Sequence, residues 1–333
     1  MDFSKRIGKL EPNAIFEMDG YFVWCGTMTR DSDGLYYLYF SFWEKHLGFD
    51  AWVTHSKVGY ATGRDPFGKF EYCGVALAGS GRDGDWDRDC IHNPSVIQYG
   101  DKYYMYYMGN YGNGEYWVHR NHQRVGVAMA EHPKGPWVRF DAPVIDVSPM
   151  GYDSLMVSNP SVAVTPQGAL YMIYKAVENN GKLPKGGSVV CGIATARSPL
   201  GPFKKAGKPI MVNPENEWSV EDAFIWLENG RFYSLAKDFQ GYFTKSGKGH
   251  VALFESEDGF DWHLSQCPIG FLRGVTLTNG ERMELAYMER PQIYMENGKP
   301  KALLCACMKE EDYKERSHSF QIRLALDSHS GRA

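Results

Sequence analysis

Three segments of the chain align without a gap: Gly59–Phe70 (GYATGRDPFGKF), Gly126–Trp137 (GVAMAEHPKGPW) and Gly192–Phe203 (GIATARSPLGPF). A fainter fourth copy, Ala252–Gly259 (ALFESEDG), keeps the alanine-to-glycine spacing, so matched glycines fall at positions 68, 135, 201 and 259. Self-similarity at a fixed period means that one supersecondary unit is built several times and buries its apolar faces against its own copies. A period near 66 residues suits one four-stranded blade with its loops.

Two further segments recur within each unit. An inner one carries a pair of residues followed by an apolar run: Trp24-Cys25, His92-Asn93, Ser158-Asn159, Glu221-Asp222 and Glu289-Arg290. The next is rich in aromatic residues, as in Tyr36-Tyr37-Leu38-Tyr39-Phe40 and Tyr103-Tyr104-Met105-Tyr106-Tyr107. Such runs, bounded by Asp33-Gly34, Asn229-Gly230 and Asn297-Gly298, read as strands joined by tight turns. The pattern predicts an all-β, five-bladed β-propeller. It occupies residues 1–333 as a single unit, with blades near 20–70, 90–140, 157–205, 219–264 and 287–326.

The formal net charge is −4, and Lys and Arg are scattered, which leaves no basic footprint for nucleic acid. Seven cysteines at irregular positions match neither a metal-binding spacing nor a disulfide framework. No apolar run has membrane-spanning length, and the opening Met1-Asp2-Phe3-Ser4-Lys5-Arg6 lacks a signal-peptide core. The expectation is a soluble cytoplasmic or periplasmic protein with no nucleic-acid or membrane partner. The sequence does not specify an oligomeric state.

The Asn-Pro-Ser-Val inner strands (Asn93–Val96, Asn159–Val162), the aromatic second strands and the Pro-x-Gly-Pro-Trp/Phe endings resemble the five-bladed β-propeller glycoside hydrolases over roughly residues 20–325. These include the arabinofuranosidases and xylosidases of family 43, the levanase and invertase group, and the anhydro-galactosidases of family 117. Tyr21–Trp24 and Glu289-Arg290-Pro291-Gln292 look most similar to the branch of families 43 and 117. The resemblance implies a glycosidase that degrades polysaccharide of plant or algal origin, exo-acting and inverting. Its oligosaccharide would sit at one end of the axis, over the five residue pairs. Strands converging on an axis bring their equivalent ends together, which leads to the same place.

Family 43 usually draws its catalytic carboxylates from the first three blades. Here those blades offer Trp24/Cys25, His92/Asn93 and Ser158/Asn159, and carboxylates appear instead in blades four and five. Glycoside hydrolysis needs a protonated carboxylic acid and an ionised carboxylate, and crowding like charges separates their proton affinities. Glu221, Asp222 and Glu289 are therefore the expected catalytic carboxylates, with Asp89 as a fourth and His92 as a further acid, base or metal ligand. Strand alternation predicts that only one of Glu221 and Asp222 faces the axis. Replacing Asp222 or Glu289 by its amide is expected to abolish turnover and leave the fold intact.

Substrate contacts are expected from Trp24 and Trp86 as stacking platforms, from Asn93, Asn159 and Arg290, and from Arg120, Arg124 and Lys237, which suit an acidic or sulfated sugar. Asn93 and Asn159 precede prolines, and the plain alternative for both is extended turn geometry. Trp43, Trp52 and Trp117 offer further apolar faces. No cofactor is required, and a structural or axial divalent cation is a further expectation drawn from relatives. The competing readings are an inverting phosphorylase, since Glu221-Asp222-Ala223 faintly resembles a Glu-Asp-Pro motif of a related family, a sugar lyase or dehydratase, and a carbohydrate-binding propeller without turnover.

Overall fold

The computed structural model describes residues 1–327. Five four-stranded antiparallel sheets surround one axis as a five-bladed β-propeller. Their innermost strands are Tyr21–Arg30, Cys90–Tyr99, Met156–Val164, Val220–Glu228 and Leu285–Glu296, and these pack against one another. No helix among the described residues is long and apolar enough to cross a membrane.

The repeated motif can now be read physically. Its first glycine sits on the third strand opposite an aromatic residue of the second: Phe40 faces Gly59, Tyr107 faces Gly126 and Tyr174 faces Gly192. The aromatic rings lie over the glycines. A Cβ on Gly192 would stand 2.5 Å from the Tyr174 ring, and one on Gly126 would stand 2.7 Å from Tyr107. Blade four replaces both partners together, pairing Ala236 with Ala252. The ring and the missing side chain are thus two halves of one packing unit.

The proline at the end of the motif joins neighbouring blades. The Tyr39 hydroxyl donates to the Pro133 carbonyl at 2.5 Å, and the equivalent Tyr106 donates to Pro199 at 2.8 Å. The closing aromatics Trp137 and Phe203 pack edge-on against the same two tyrosines. Blade three carries Ile173 at this position, and the fourth motif has no proline to receive a bond. At the junction of blades five and one, Arg323 Nε donates to Pro66 and its Nη2 to Gly68.

Blade five is completed from the other end of the chain. Its outer strand is Ile15–Phe16, paired with Phe320–Ala325, so residues 287–326 supply only three of its four strands. Phe3, Leu10 and Ala14 pack with Trp226, Leu303 and Ile322 in one apolar cluster, which locks the ring shut between its first and last segments. Closure of this kind surrounds each inner strand with its neighbours in the ring.

The packing unit makes a quantitative demand. Gly192→Ala is expected to destabilise the protein by about 1–3 kcal/mol through overpacking. Combining it with Tyr174→Ala should cost less than the sum of the two single changes, because the residues touch. Urea unfolding of the two single variants and the double variant measures the difference, and strict additivity would contradict this account.

Candidate active site

Each inner strand is broken by a bulge at the same register: between Trp24 and Thr27, His92 and Ser95, Ser158 and Ser161, Glu221 and Phe224, and Glu289 and Gln292. The second residue of every pair adopts the left-handed conformation, with φ of 49° at Cys25, 55° at Asn93, 52° at Asn159, 58° at Asp222 and 51° at Arg290. Asn and Asp tolerate this region better than other side chains, which explains three of the five identities. The turn is left-handed rather than the extended geometry expected before Pro94 and Pro160.

These five residues meet across the axis. Cys25 Sγ donates to Asn93 Oδ1 at 2.7 Å, Asn93 Nδ2 to Asn159 Oδ1 at 2.5 Å, and Asn159 Nδ2 to Asp222 Oδ1 at 2.6 Å. Arg290 Nη1 stands 3.5 Å from the same Asp222 oxygen. The chain of donors ends on a carboxylate, and each link spans one blade.

Around this floor lies a cavity of about 200 Å³. The bulge brings both Glu221 and Asp222 into its wall, where regular alternation predicts only one. Trp24, Trp43, Phe49, Trp52 and Tyr287 form an aromatic side, with Trp24 edge-on to Phe49 and Tyr287. Lys175, Glu221, Lys237 and Glu289 form a charged side. A larger cavity of about 500 Å³ opens where the inner strands end, but its charged groups are only Arg30, Asp31 and Glu296, and Arg30 pairs with Glu296. The smaller cavity, with seven charged side chains, is the one equipped for chemistry.

The carboxylates are not equivalent. Glu221 is desolvated, but it contacts Lys175 Nζ at 2.6 Å and Lys237 Nζ at 3.2 Å, and the two ammonium groups overcome burial and pull its pKa down to about 2. Glu289 touches only Lys237, at 2.6 Å, and burial raises its pKa, with Asp222 and Glu221 adding to the rise. Lys237 remains a cation: burial opposes its charge, and Glu289 and Glu221 outweigh it. Burial and then the Glu221 charge push Asp222 up, against Arg290. Burial and Arg290 hold His92 well below the ordinary imidazole value, so it is neutral, with Nδ1 2.7 Å from the Ser56 hydroxyl.

Several expected residues lie elsewhere. Asp89 is outside the cavity lining, bound to Arg88 at 2.7 Å and to the Gly112 amide. Trp86 stacks on Tyr107 beneath blade two. The stretch that leads to Arg124 folds as a short helix, Tyr116–Asn121. Its Arg120 bonds to the Lys185 carbonyl, Arg124 pairs with Asp146, and only Gln123 of this region reaches the cavity. Trp24, His92, Asn93, Asn159, Glu221, Asp222, Lys237, Glu289 and Arg290 all line it. Glu289 and Arg290 do not pair with each other; each finds its partner in blade four.

Lys175, Phe49, Tyr287 and Arg316 are site residues that the sequence did not single out. Lys175 had a signal. It faces Ser158 across its blade as Lys237 faces Glu221, so the two lysines are repeat equivalents. Among the described residues no group of three His, Cys, Asp or Glu side chains is placed to hold a metal ion. The axial carboxylates are instead met by Lys175, Lys237 and Arg290.

No family model and no curated protein sequence matches the chain. Its fold is similar to that of Zg3597, a family 117 glycoside hydrolase produced by the marine bacterium Zobellia galactanivorans, with a TM-score of 0.68, 19% identity, and coverage of 97% of this chain and 90% of the other. An α-L-arabinofuranosidase from Lactobacillus brevis aligns with a TM-score of 0.64 and 14% identity over 97% of this chain and 94% of its own. The α-L-arabinanase of Cellvibrio cellulosa complexed with arabinohexaose aligns with a TM-score of 0.59 and 14% identity over 93% and 96%. The architecture is therefore that of the five-bladed glycoside hydrolase propellers.

The floor revises one expectation. Asp222 is the carboxylate that faces Arg290, which is only 2% exposed. Asp222→Asn is thus expected to leave a buried cation unbalanced and to lower stability by about 3–5 kcal/mol. Glu289→Gln leaves Lys237 paired with Glu221 and should cost much less. Chemical denaturation of both variants tests the contrast, and equal stabilities would refute the role given to Asp222.

Proposed function

We propose that the protein is a glycoside hydrolase that removes a terminal sugar from a plant or algal oligosaccharide, using Glu289 as proton donor and Glu221 as the ionised partner. The observation that carries this reading is the divergence of two carboxylates in one cavity: Glu221 held down by two lysines, Glu289 pushed up by burial. The propeller shared with family 117 and family 43 glycoside hydrolases supports it. The small volume suits one sugar ring, hence attack at a chain end. A sugar has apolar C–H faces and polar edges, and a cavity with one aromatic and one charged side matches both.

In the proposed reaction the glycosidic C–O bond breaks and the anomeric carbon gains the hydroxyl of a water molecule. The leaving oxygen takes the Glu289 proton, and the proton that water gives up restores Glu289. The Glu221 charge also stabilises the positive charge that develops on the ring. Asp222, in the floor, is a positioning residue that fixes Arg290 and Asn159.

A screen of plant and algal oligosaccharides, followed by product mass with and without phosphate, tests the reaction class. A gain of water is the expected result. A gain of phosphate would replace hydrolysis by phosphorolysis, an unsaturated end would mean elimination, and binding without turnover across the panel would refute catalysis. On the substrate so found, Glu289→Gln should lower kcat by about 10²–10⁴-fold.

The pH profile follows from the same environment. Activity requires Glu289 protonated and Glu221 ionised. The rate therefore falls as pH rises through the elevated Glu289 value, and falls on the acid side only as pH approaches about 2. Lys175→Met removes a cation from Glu221 alone, so its pKa rises and the acid limb of kcat/KM should move to higher pH with the alkaline limb in place. An acid limb that does not move would exclude Glu221 as the ionised partner.

A further inference from the structure

Lys237 limits the distance between the two carboxylates that differ in proton affinity. Its Nζ lies 3.2 Å from Glu221 Oε1 and 2.6 Å from Glu289 Oε1. Whatever angle the three atoms make, those two oxygens stand no farther apart than the two distances laid end to end, about 5.8 Å. Glycosidases that invert keep their carboxyl groups about 6.5–9.5 Å apart, because a water molecule must fit beside the sugar, and those that retain configuration keep them about 5–5.5 Å apart. One ammonium shared by both groups holds this pair on the short side of that division. Asp222 is not an alternative partner, since it accepts the Asn159 amide and faces Arg290 in the floor.

The proton affinities agree with the distance. A one-step displacement needs a base that takes a proton from water, and a carboxylate that Lys175 and Lys237 pull down to about 2 in spite of its burial accepts a proton poorly. An ionised nucleophile needs no such proton, and its weak basicity favours its later departure. Glu289, raised by burial, is suited to give a proton and then take one back. Each carboxylate thus matches one part of a two-step displacement.

We infer that Glu221 is a nucleophile that bonds to the anomeric carbon, and that the sugar is released with its configuration retained. This rests on the glycosidase reading above and specifies its course. In the first step a Glu221 oxygen bonds to the anomeric carbon as the glycosidic C–O bond breaks, and the electron pair of that bond goes to the leaving oxygen, which takes the Glu289 proton. In the second, the Glu289 carboxylate takes a proton from water, the water oxygen bonds to the same carbon, and the bond to Glu221 breaks. One water is consumed, and both carboxylates return to their starting states. Each displacement inverts the carbon, so the two together retain its configuration. This departs from the inversion that the resemblance to families 43 and 117 implies. Lys237, which touches both groups, is the positioning residue that keeps the gap short.

The test uses the intact protein and the oligosaccharide that it cleaves in the screen. Proton NMR of the first-formed sugar, read before it mutarotates, should show the anomer of the substrate, and methanol added to the reaction should yield the methyl glycoside of that same anomer. A product of the opposite anomer would overturn the inference and leave the glycosidase reading standing. A glycosyl phosphate of retained configuration would support the covalent step and replace hydrolysis by phosphorolysis. No cleavage anywhere in the panel would overturn the reading and the inference with it. Glu221→Ala should lower kcat by about 10³-fold or more. Azide should restore its turnover of the glycosyl fluoride of the same sugar, giving a glycosyl azide of configuration opposite to the fluoride. In Glu289→Ala the azide should instead appear with the configuration of the fluoride, because there it meets the sugar already bonded to Glu221. A folded Glu221→Ala that azide does not rescue would overturn the role given to Glu221. Should Glu221→Ala fail to fold, the product anomer and the methyl glycoside of the wild-type protein decide alone.

Discussion

A regular β-strand offers alternate side chains to one side, so it cannot aim two consecutive residues at the same point. Every inner strand of this propeller escapes that limit at the same register, with a bulge and one residue in the left-handed region. The site depends on it. The second residue of each pair turns inward to build a floor across the axis, and the first residues of four pairs, Trp24, His92, Glu221 and Glu289, line the cavity. Without the bulge, Glu221 and Asp222 would be divided between the cavity and the blade interior, and Arg290 would not meet Asp222. Conformations of this kind are sparsely populated and are retained where the surroundings over-determine them, here by hydrogen bonds from blade to blade.

The floor also separates structural from chemical charge. Asp222 sits at the end of a donor chain and beside Arg290, so its charge holds the ring together. Glu221 and Glu289 share Lys237 and differ in what else touches them: Glu221 has Lys175 as well. One additional ammonium at 2.6 Å is the difference in cationic contact between a carboxylate held ionised and one that burial leaves reluctant to ionise. Three acidic residues from two neighbouring blades thus take three different parts, and chemical identity alone does not predict which.

Much of this was legible in the sequence, because a repeat carries its own alignment. The blade count, the inner pairs and the ends of the strands followed from matching copies, and eight of the ten residues of those pairs line the cavity. Residues named from loops fared differently. Asp89 is bound by its sequence neighbour Arg88, while Trp86, Arg120 and Arg124 meet Tyr107, Lys185 and Asp146, which only the folded chain brings near. Asp89 and Trp86 lie between repeats, Arg120 lies on the helix that interrupts blade two, and Arg124 opens the strand that follows it. Lys175 lay within the repeat, and extending the second-strand alignment by one residue past Tyr174 would have matched it to Lys237. The bulge had a faint trace in Asn93, Asn159 and Asp222, residue types that accept a left-handed turn, but Cys25 and Arg290 at the same place hid the pattern.

The first blade contributes an indole, not a carboxylate, to the cavity. Trp24 packs with Phe49 and Tyr287 rather than with any ion. Collecting all three carboxylates on one side requires cations on that side to hold them, and Lys175, Lys237 and Arg290 come from blades three, four and five accordingly. The aromatic half requires none. A ligand lying between the two halves meets a low-dielectric wall on one face and fixed charges on the other, and the wall strengthens every charge opposite it. Blade one supplies four of the five aromatic rings of the lining, Trp24, Trp43, Phe49 and Trp52, and so takes the apolar part of the site, while blades three to five hold all of its charge.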